Sequence, residues 1–164
     1  MNIMIRRAVG VESNMLTSIA FAAKRYWKYP KEYFEVWKDE LTITLDYINK
    51  NEVYVAKVDR EIVGFISIAE VKKDFQVEEL LIRKGFWLDH IFVHPDFIGK
   101  RVGSELVSFA KELCRRKNIV CLHILSDPNA IGFYDKVGAQ FIEKVPSNIK
   151  GRFISLYKLA ILST

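Results

Sequence analysis

WLDHIFVHPDFIGKRVGS, residues 87–104, runs from an apolar strand through a proline into a turn with two glycines and then a helix. The strand pattern ends at Val93, Pro95 follows, and Gly99 and Gly103 lead into a helical spacing that starts at Ser104. Backbone N–H groups at a helix N-terminus have no intrahelical partner and point outward, so such a turn is a natural seat for a phosphate. One helix terminus contributes only about 0.3–1 kcal/mol, up to ~2 when partly buried. A pyrophosphate therefore needs several N–H donors at once, which a tight glycine loop can supply. The same spacing also fits an ordinary strand–loop–helix connection.

Outward from this stretch, hydrophobic periodicity predicts the other elements. Before it come a strand over 3–9 and a helix over 13–29 with an apolar stripe of Met15, Leu16, Ile19, Phe21 and Ala22, stopped by Pro30. A second helix covers 31–41, and 41–48 continues it or starts a third. Strands over 52–58 and 62–71 are joined by Asp59-Arg60-Glu61, a hairpin signal. Residues 72–84 fit neither period and read as a loop or strand extension, ended by Gly85. The strand itself covers 86–94. After it come a helix over 104–116, with Leu106, Val107, Ala110, Leu113 and Cys114 on its core stripe, and a strand over 120–125. Asp127 can cap the next helix, with Pro128 in its first turn and Gly138 at its end. Strands over 141–145 and 153–161 close the chain around a hairpin tip at 146–151. This order predicts an α/β fold: a mixed, mostly antiparallel central sheet of about seven strands with helices on both faces.

The 164 residues suit a single domain, 1–164, with one core. Half of them are hydrophobic, which argues against disorder. The net charge of +5 suits an anionic small molecule as well as nucleic acid. The basic residues are spread along the chain, with clusters such as Lys72-Lys73 and Arg115-Arg116-Lys117. Zinc-finger and RNP-type spacings are absent, so nucleic acid is not expected as a partner. Cys114 and Cys121 form no C-x-x-C pair and read as reduced and buried, in a cytoplasmic setting. Neither a signal peptide nor an apolar run of ~20 residues is present, so no membrane association is expected.

A second segment, SDPNAIGFYDKVGA at residues 126–139, bears on the first. Together the two resemble the GNAT superfamily of N-acetyltransferases, over about residues 3–161. The first is similar to that family's strand ending in I-x-V, followed by Pro and a Q/R-x-x-G-x-G/A turn. The second is similar to its N-x-x-A-x-x-F-Y-x-K-x-G-F helix and is the more specific half. Three positions depart from the pattern: Ile98 stands where Gln or Arg is usual, Arg101 where Gly is usual, and Asp127 where Asn is usual. A glycine there tolerates positive φ; Arg101 is expected instead to have helical dihedrals, because good helix formers follow it.

The resemblance implies acetyl transfer from acetyl-CoA, as co-substrate and without a metal, to an amine on a small molecule or peptide, through a ternary complex. It allows a homodimer. Carried onto this chain, it implies that Ile91, Phe92 and Val93 offer backbone groups to the pantetheine arm. Gly99, Lys100, Arg101, Val102, Gly103 and Ser104 would hold the pyrophosphate, and Asn129 would lie beside the cofactor. Tyr134 would donate a proton to the leaving thiolate, a role that typically gives roughly 10²–10⁴-fold. The same Tyr134 could instead be a helix residue packed against the sheet beside Phe133.

An amine acceptor also needs a proton sink. A lysine-like amine has a pKa of ~10.4, so exposing the neutral nucleophile at pH 7 costs roughly 4.6 kcal/mol. Asp89 and His90 are the candidate bases, and period 2 puts them on opposite faces of the strand. Holding the two reactants together is worth more, on the order of 7–11 kcal/mol. Tyr26, Trp27 and Tyr29 crowd before Pro30 and could stack on a substrate or hold a cation, or simply pack. Two other functions remain open on the sequence: an acyl-CoA-binding sensor without turnover, and a basic nucleic-acid-binding protein.

Overall fold

The computed structural model describes residues 1–162. Seven strands form one sheet: β1 (Ile3–Arg7), β2 (Glu52–Val58), β3 (Glu61–Val71), β6 (Gly85–Val93), β7 (Cys121–Ser126), β9 (Phe153–Ala160) and β8 (Gln140–Pro146), in that order across it. The pairs β1–β2, β2–β3, β7–β9 and β8–β9 are antiparallel; β6–β7 is parallel, with Trp87 opposite His123. Two further strands, β4 (Phe75–Val77) and β5 (Leu80–Ile82), form a separate antiparallel hairpin. The helices are α1 (Ser13–Arg25), α2 (Lys31–Leu41), α3 (Leu45–Lys50), α4 (Val102–Arg116) and α5 (Ile131–Lys136). The mixed, mostly antiparallel α/β sheet is the expected one.

The chain clusters into two compact units. The first holds Met1–Ile68 and His90–Ala110; the second holds Ala69–Asp89 and the chain from Lys111 onward. In the first, Leu16, Ile19 and Ala20 of α1, Trp37 and Leu41 of α2, Val53 and Val55 of β2 and Leu106 of α4 are buried. Their spacing is the one that read as helix or strand. Gly64 of β3 is needed for close approach: a Cβ there would sit 2.9 Å from the Phe92 carbonyl oxygen and 3.3 Å from Val102 Cγ1. The second unit buries Leu113 and Cys114 of α4, Leu122 and Ile124 of β7, and Tyr157 and Leu159 of β9. Burial pushes the Cys114 thiol up to about 11.

Several boundaries differ from expectation. α1 ends at Arg25 rather than 29, because a residue before proline is disfavoured in the helical region and Lys28 takes φ +57° to turn the chain ahead of Pro30. Met15, expected on its core stripe, is exposed. Residues 72–84 hold the β4–β5 hairpin, whose three-residue strands are too short to show a period. Glu78 takes φ +54° at its tip, and Asp74 Oδ1 accepts from Lys84 N at 2.7 Å to close its base. α4 starts two residues before Ser104. The helical stretch after Asp127 is a 3-10 turn, Pro128–Ala130, followed by α5, which ends two residues before Gly138. Cys121 is half-buried, not buried, because it sits at the start of β7.

Candidate active site

In the first unit, β6 ends at Val93 and the chain enters a 3-10 turn, Pro95–Phe97, capped by His94, whose Nδ1 accepts from Asp96 N at 3.1 Å. The turn then hands over to α4 through two residues in the left-handed region, Gly99 at φ +77° and Arg101 at φ +67°. Helical dihedrals at Arg101 are thus overturned: the family's glycine position keeps a glycine conformation here with an arginine in it, at a cost of roughly 1–2 kcal/mol. The consequence lies in the main chain. The first bond into α4 runs from Glu105 N to Arg101 O at 3.0 Å. The N–H groups of Arg101, Val102, Gly103 and Ser104 make no hydrogen bond among the described residues. The Val102 side chain is buried and anchors the turn, while Gly99, Lys100 and Arg101 are exposed. Lys100 Nζ stands 5.2 Å from the Phe97 ring centroid. Ile91, Phe92 and Val93 are half-buried at the end of β6.

In the second unit, Asp127 caps the turn after β7: Oδ1 accepts from Asn129 N at 2.9 Å and Oδ2 pairs with Arg152 Nη2 at 3.2 Å. Both side chains of this ion pair are mostly buried. The Asp that stands where the family pattern has Asn is thus paired with an arginine 25 residues away. Asn129 is exposed. Tyr134 of α5 is buried, its ring 5.3 Å from Phe133 and 5.8 Å from Tyr157. Its hydroxyl has no hydrogen-bond partner among the described residues. No buried side-chain oxygen or nitrogen among them lacks a partner, so this hydroxyl keeps some accessible surface although the residue is buried. Burial, and then the Asp127 charge, push its pKa up, so Tyr134 keeps its proton throughout the physiological range.

The candidate bases on β6 do face opposite ways: Asp89 is exposed and His90 half-buried. His90 sits in a polar cluster that sequence reasoning did not find. Its Nδ1 lies 3.2 Å from Tyr47 Oη and 3.1 Å from Ser67 Oγ, and its Nε2 lies 2.8 Å from the Glu40 carbonyl oxygen. The one signal in the chain was Ser67, a polar residue between Ile66 and Ile68 in an apolar strand. The aromatic residues before Pro30 divide. Tyr26 and Trp27 form an exposed edge-to-face pair at 4.9 Å. Tyr29 joins Tyr33 and Phe34 around Trp37, and the cation over that cluster is the chain's own Lys24, 4.4 Å from the Trp37 centroid.

An α/β sheet whose β6 strand leads into a helix with a row of N–H groups unpaired among the described residues suits an anionic ligand. The description "Acetyltransferase (GNAT) family" matches residues 18–139, and the chain belongs to that family. Solved structures share the fold. A GCN5-related N-acetyltransferase from Rhodopseudomonas palustris is 18% identical, with 98% of this chain and 96% of that one covered and a TM-score of 0.77. The PaiA N-acetyltransferase of Thermoplasma acidophilum, in complex with coenzyme A, is 16% identical, with 98% and 99% covered and a TM-score of 0.72. YncA of Salmonella typhimurium, with acetyl-CoA, is 15% identical, with 100% and 96% covered and a TM-score of 0.63. Among curated protein sequences none matches this chain.

Proposed function

We propose that this chain, acting as one domain, moves an acetyl group from acetyl-CoA to a primary amine of a small molecule or peptide in a ternary complex. The observation that carries the reading is the run of four successive unpaired N–H groups, Arg101 to Ser104, at the start of a fifteen-residue helix. Such a run offers a pyrophosphate several donors together with the positive end of the helix dipole. Lys100 and Arg101 add charge beside it. The backbone of Ile91, Phe92 and Val93 would bind the pantetheine amides, as one more strand would.

Tyr134 supplies the group for the leaving thiolate. A thiol of ordinary pKa, about 8.5, is a weaker base than tyrosinate at its ordinary ~10, and Tyr134 lies higher still. Complete transfer of its proton is therefore uphill by more than about 2 kcal/mol. What Tyr134 offers as the C–S bond breaks is a hydrogen bond that strengthens with the charge on sulfur, which is stabilisation of the transition state. On the acceptor side, His90 is the better candidate base, because its lone pair is already held in a hydrogen-bonded cluster; Asp89 lies on the other face of β6. The two unbridged cysteines suit a reducing compartment, read here as the cytoplasm.

Thermal melting with acetyl-CoA tests the reading. At 100 times its Kd the ligand adds about 2.7 kcal/mol of stability, a shift of several degrees. A folded protein that does not shift at millimolar acetyl-CoA ends the proposal. A protein that shifts but releases no free thiol with any amine is a binding module instead.

A further inference from the structure

The polar cluster inside the first unit is more specific than a base alone requires. Tyr47 Oη, Ser67 Oγ and His90 Nδ1 form a triangle with sides of 2.9, 3.1 and 3.2 Å. The three residues come from α3, β3 and β6. Tyr47 is placed by a chain of local bonds: Thr17 Oγ1 accepts from Ile43 N at 2.9 Å, and Thr44 Oγ1 caps α3 by accepting from Tyr47 N at 3.0 Å.

His90 Nε2 faces the Glu40 carbonyl at 2.8 Å. A carbonyl oxygen can only accept, so Nε2 carries the hydrogen in the neutral ring. Nδ1 is then the basic atom, and it faces two hydroxyls. Protonating it costs no hydrogen bond, because both hydroxyls can rotate and accept from the new Nδ1–H. The groups packed around the imidazole include Tyr47 from α3, the Glu40 carbonyl from α2, Ser67 and Phe65 from β3, and Phe92 from its own strand. Ser67 is fully buried and Tyr47 only partly, so of the two hydroxyl residues Tyr47 is the one with a surface.

The geometry points to a proton port: Tyr47 takes the proton released by the acceptor amine and passes its own, directly or through Ser67, to His90 Nδ1. This rests on the amine-transfer reading above. In the step, an N–H bond of the acetylating nitrogen breaks and an O–H bond forms on Tyr47. The former Tyr47 O–H breaks, and an N–H bond forms at Nδ1. The nitrogen loses one positive charge, His90 gains one, and both hydroxyls end neutral. In this proposal Tyr47 faces the acceptor, Ser67 exchanges its own proton when it lies on the path, and the Glu40 carbonyl is the positioning group that fixes which ring nitrogen is basic.

Two measurements on the full chain test this. Long-range proton–nitrogen spectra of the ¹⁵N-labelled protein should show His90 protonated at Nε2 and bare at Nδ1; the opposite tautomer overturns the proposal without reference to activity. Turnover is then read with acetyl-CoA and four probe amines: putrescine, phenethylamine, free lysine and an alanyl peptide. For the best acceptor, Tyr47→Phe should lower kcat about tenfold or more and leave KM for acetyl-CoA within about twofold. His90→Gln, which keeps a donor for Glu40 but cannot take the proton, should lose a similar factor. The double variant should be no slower than the slower single one, because both break one path. Multiplying losses, or a Tyr47→Phe enzyme within about twofold of wild type, overturns the port while leaving acetyl transfer standing. A wild-type chain that acetylates none of the four amines overturns the transfer reading and the port with it.

Discussion

The turn at 98–104 and the segment at 126–139 carry the two halves of one family signature, and they are built from different materials. The turn presents its main chain. It exposes backbone N–H groups, with Val102 buried as an anchor and Arg101 at positive φ. The second segment presents side chains: a tyrosine ring held between Phe133 and Tyr157, with a hydroxyl that has no hydrogen-bond partner among the described residues. Each also departs from the family pattern, and the departures are absorbed differently. Arg101 is absorbed as local backbone strain. Asp127 is absorbed at a distance, by an ion pair with Arg152. A backbone device tolerates a change of side chain at the expense of conformation; a side-chain device tolerates it only if another side chain changes too.

The largest effect should come from Tyr134→Phe. If the hydroxyl acts only on the leaving thiolate, kcat falls about 100-fold or more while acetyl-CoA affinity stays within about threefold. Fold stability should be unchanged, because the hydroxyl gives up no hydrogen bond. Steady-state kinetics beside a melting curve checks both. A melting point that drops with kcat would make Tyr134 a packing residue and erase the contrast.

Arg152→Met comes next. It strips the partner from a mostly buried carboxylate and should cost about 1–3 kcal/mol in denaturant unfolding. Adding Asp127→Asn should return most of that loss, since the neutral amide no longer needs the cation. If the second substitution restores nothing, the two positions are not compensating for one another.

Arg101→Gly should have a smaller effect of opposite sign. Relief of the left-handed arginine gains roughly 1–2 kcal/mol, and the freer unfolded glycine takes back about half, leaving a gain of about 0.5–1 kcal/mol. Acetyl-CoA affinity should stay within about tenfold, with a weaker dependence on salt. Calorimetry at two ionic strengths decides it. A gain in affinity of more than tenfold would show that the arginine spoils the N–H row and would favour a degenerate site.

The smallest effect is on pH dependence. Burial, and secondarily Lys158, lower the His123 pKa below its ordinary value. The folded state therefore disfavours the proton that the unfolded chain accepts. Stability from this source is complete above about pH 6.5 and is lost as pH falls from there through the folded pKa. His123→Gln should flatten that part of the curve. Glu12, held low by its hydrogen bond from Arg6, adds a second loss only below about pH 4.5, which His123→Gln should leave in place. Unfolding at pH 7, 6 and 5 separates the two.

What was legible in the sequence was local. The apolar stripe of α4 and the alternation of β2 are set by residues within a few positions of one another, so a single chain displays them. The same holds for the proline–glycine turn and for Asp127 as a cap, bonded two residues on. The short β4–β5 strands were illegible because three residues cannot show a period. The φ of Arg101 was misread because following helix formers do not fix the residue before the helix; Val102, buried and against Gly64, dictates how the chain must turn to enter it. The Asp127–Arg152 pair spans 25 residues, and the Tyr47–Ser67–His90 triangle joins residues 20, 23 and 43 apart. No periodicity or spacing marks such partners. They are chosen by whichever side chains the packed sheet and helices bring within about 3 Å, and burial then makes those bonds obligatory, because an unpaired polar group inside costs more than its hydrogen bond gains. By itself the sequence determined the elements other than β4 and β5, their order and the two signature segments; the tertiary structure alone decided which polar groups meet, and so which nitrogen of His90 faces the two hydroxyls.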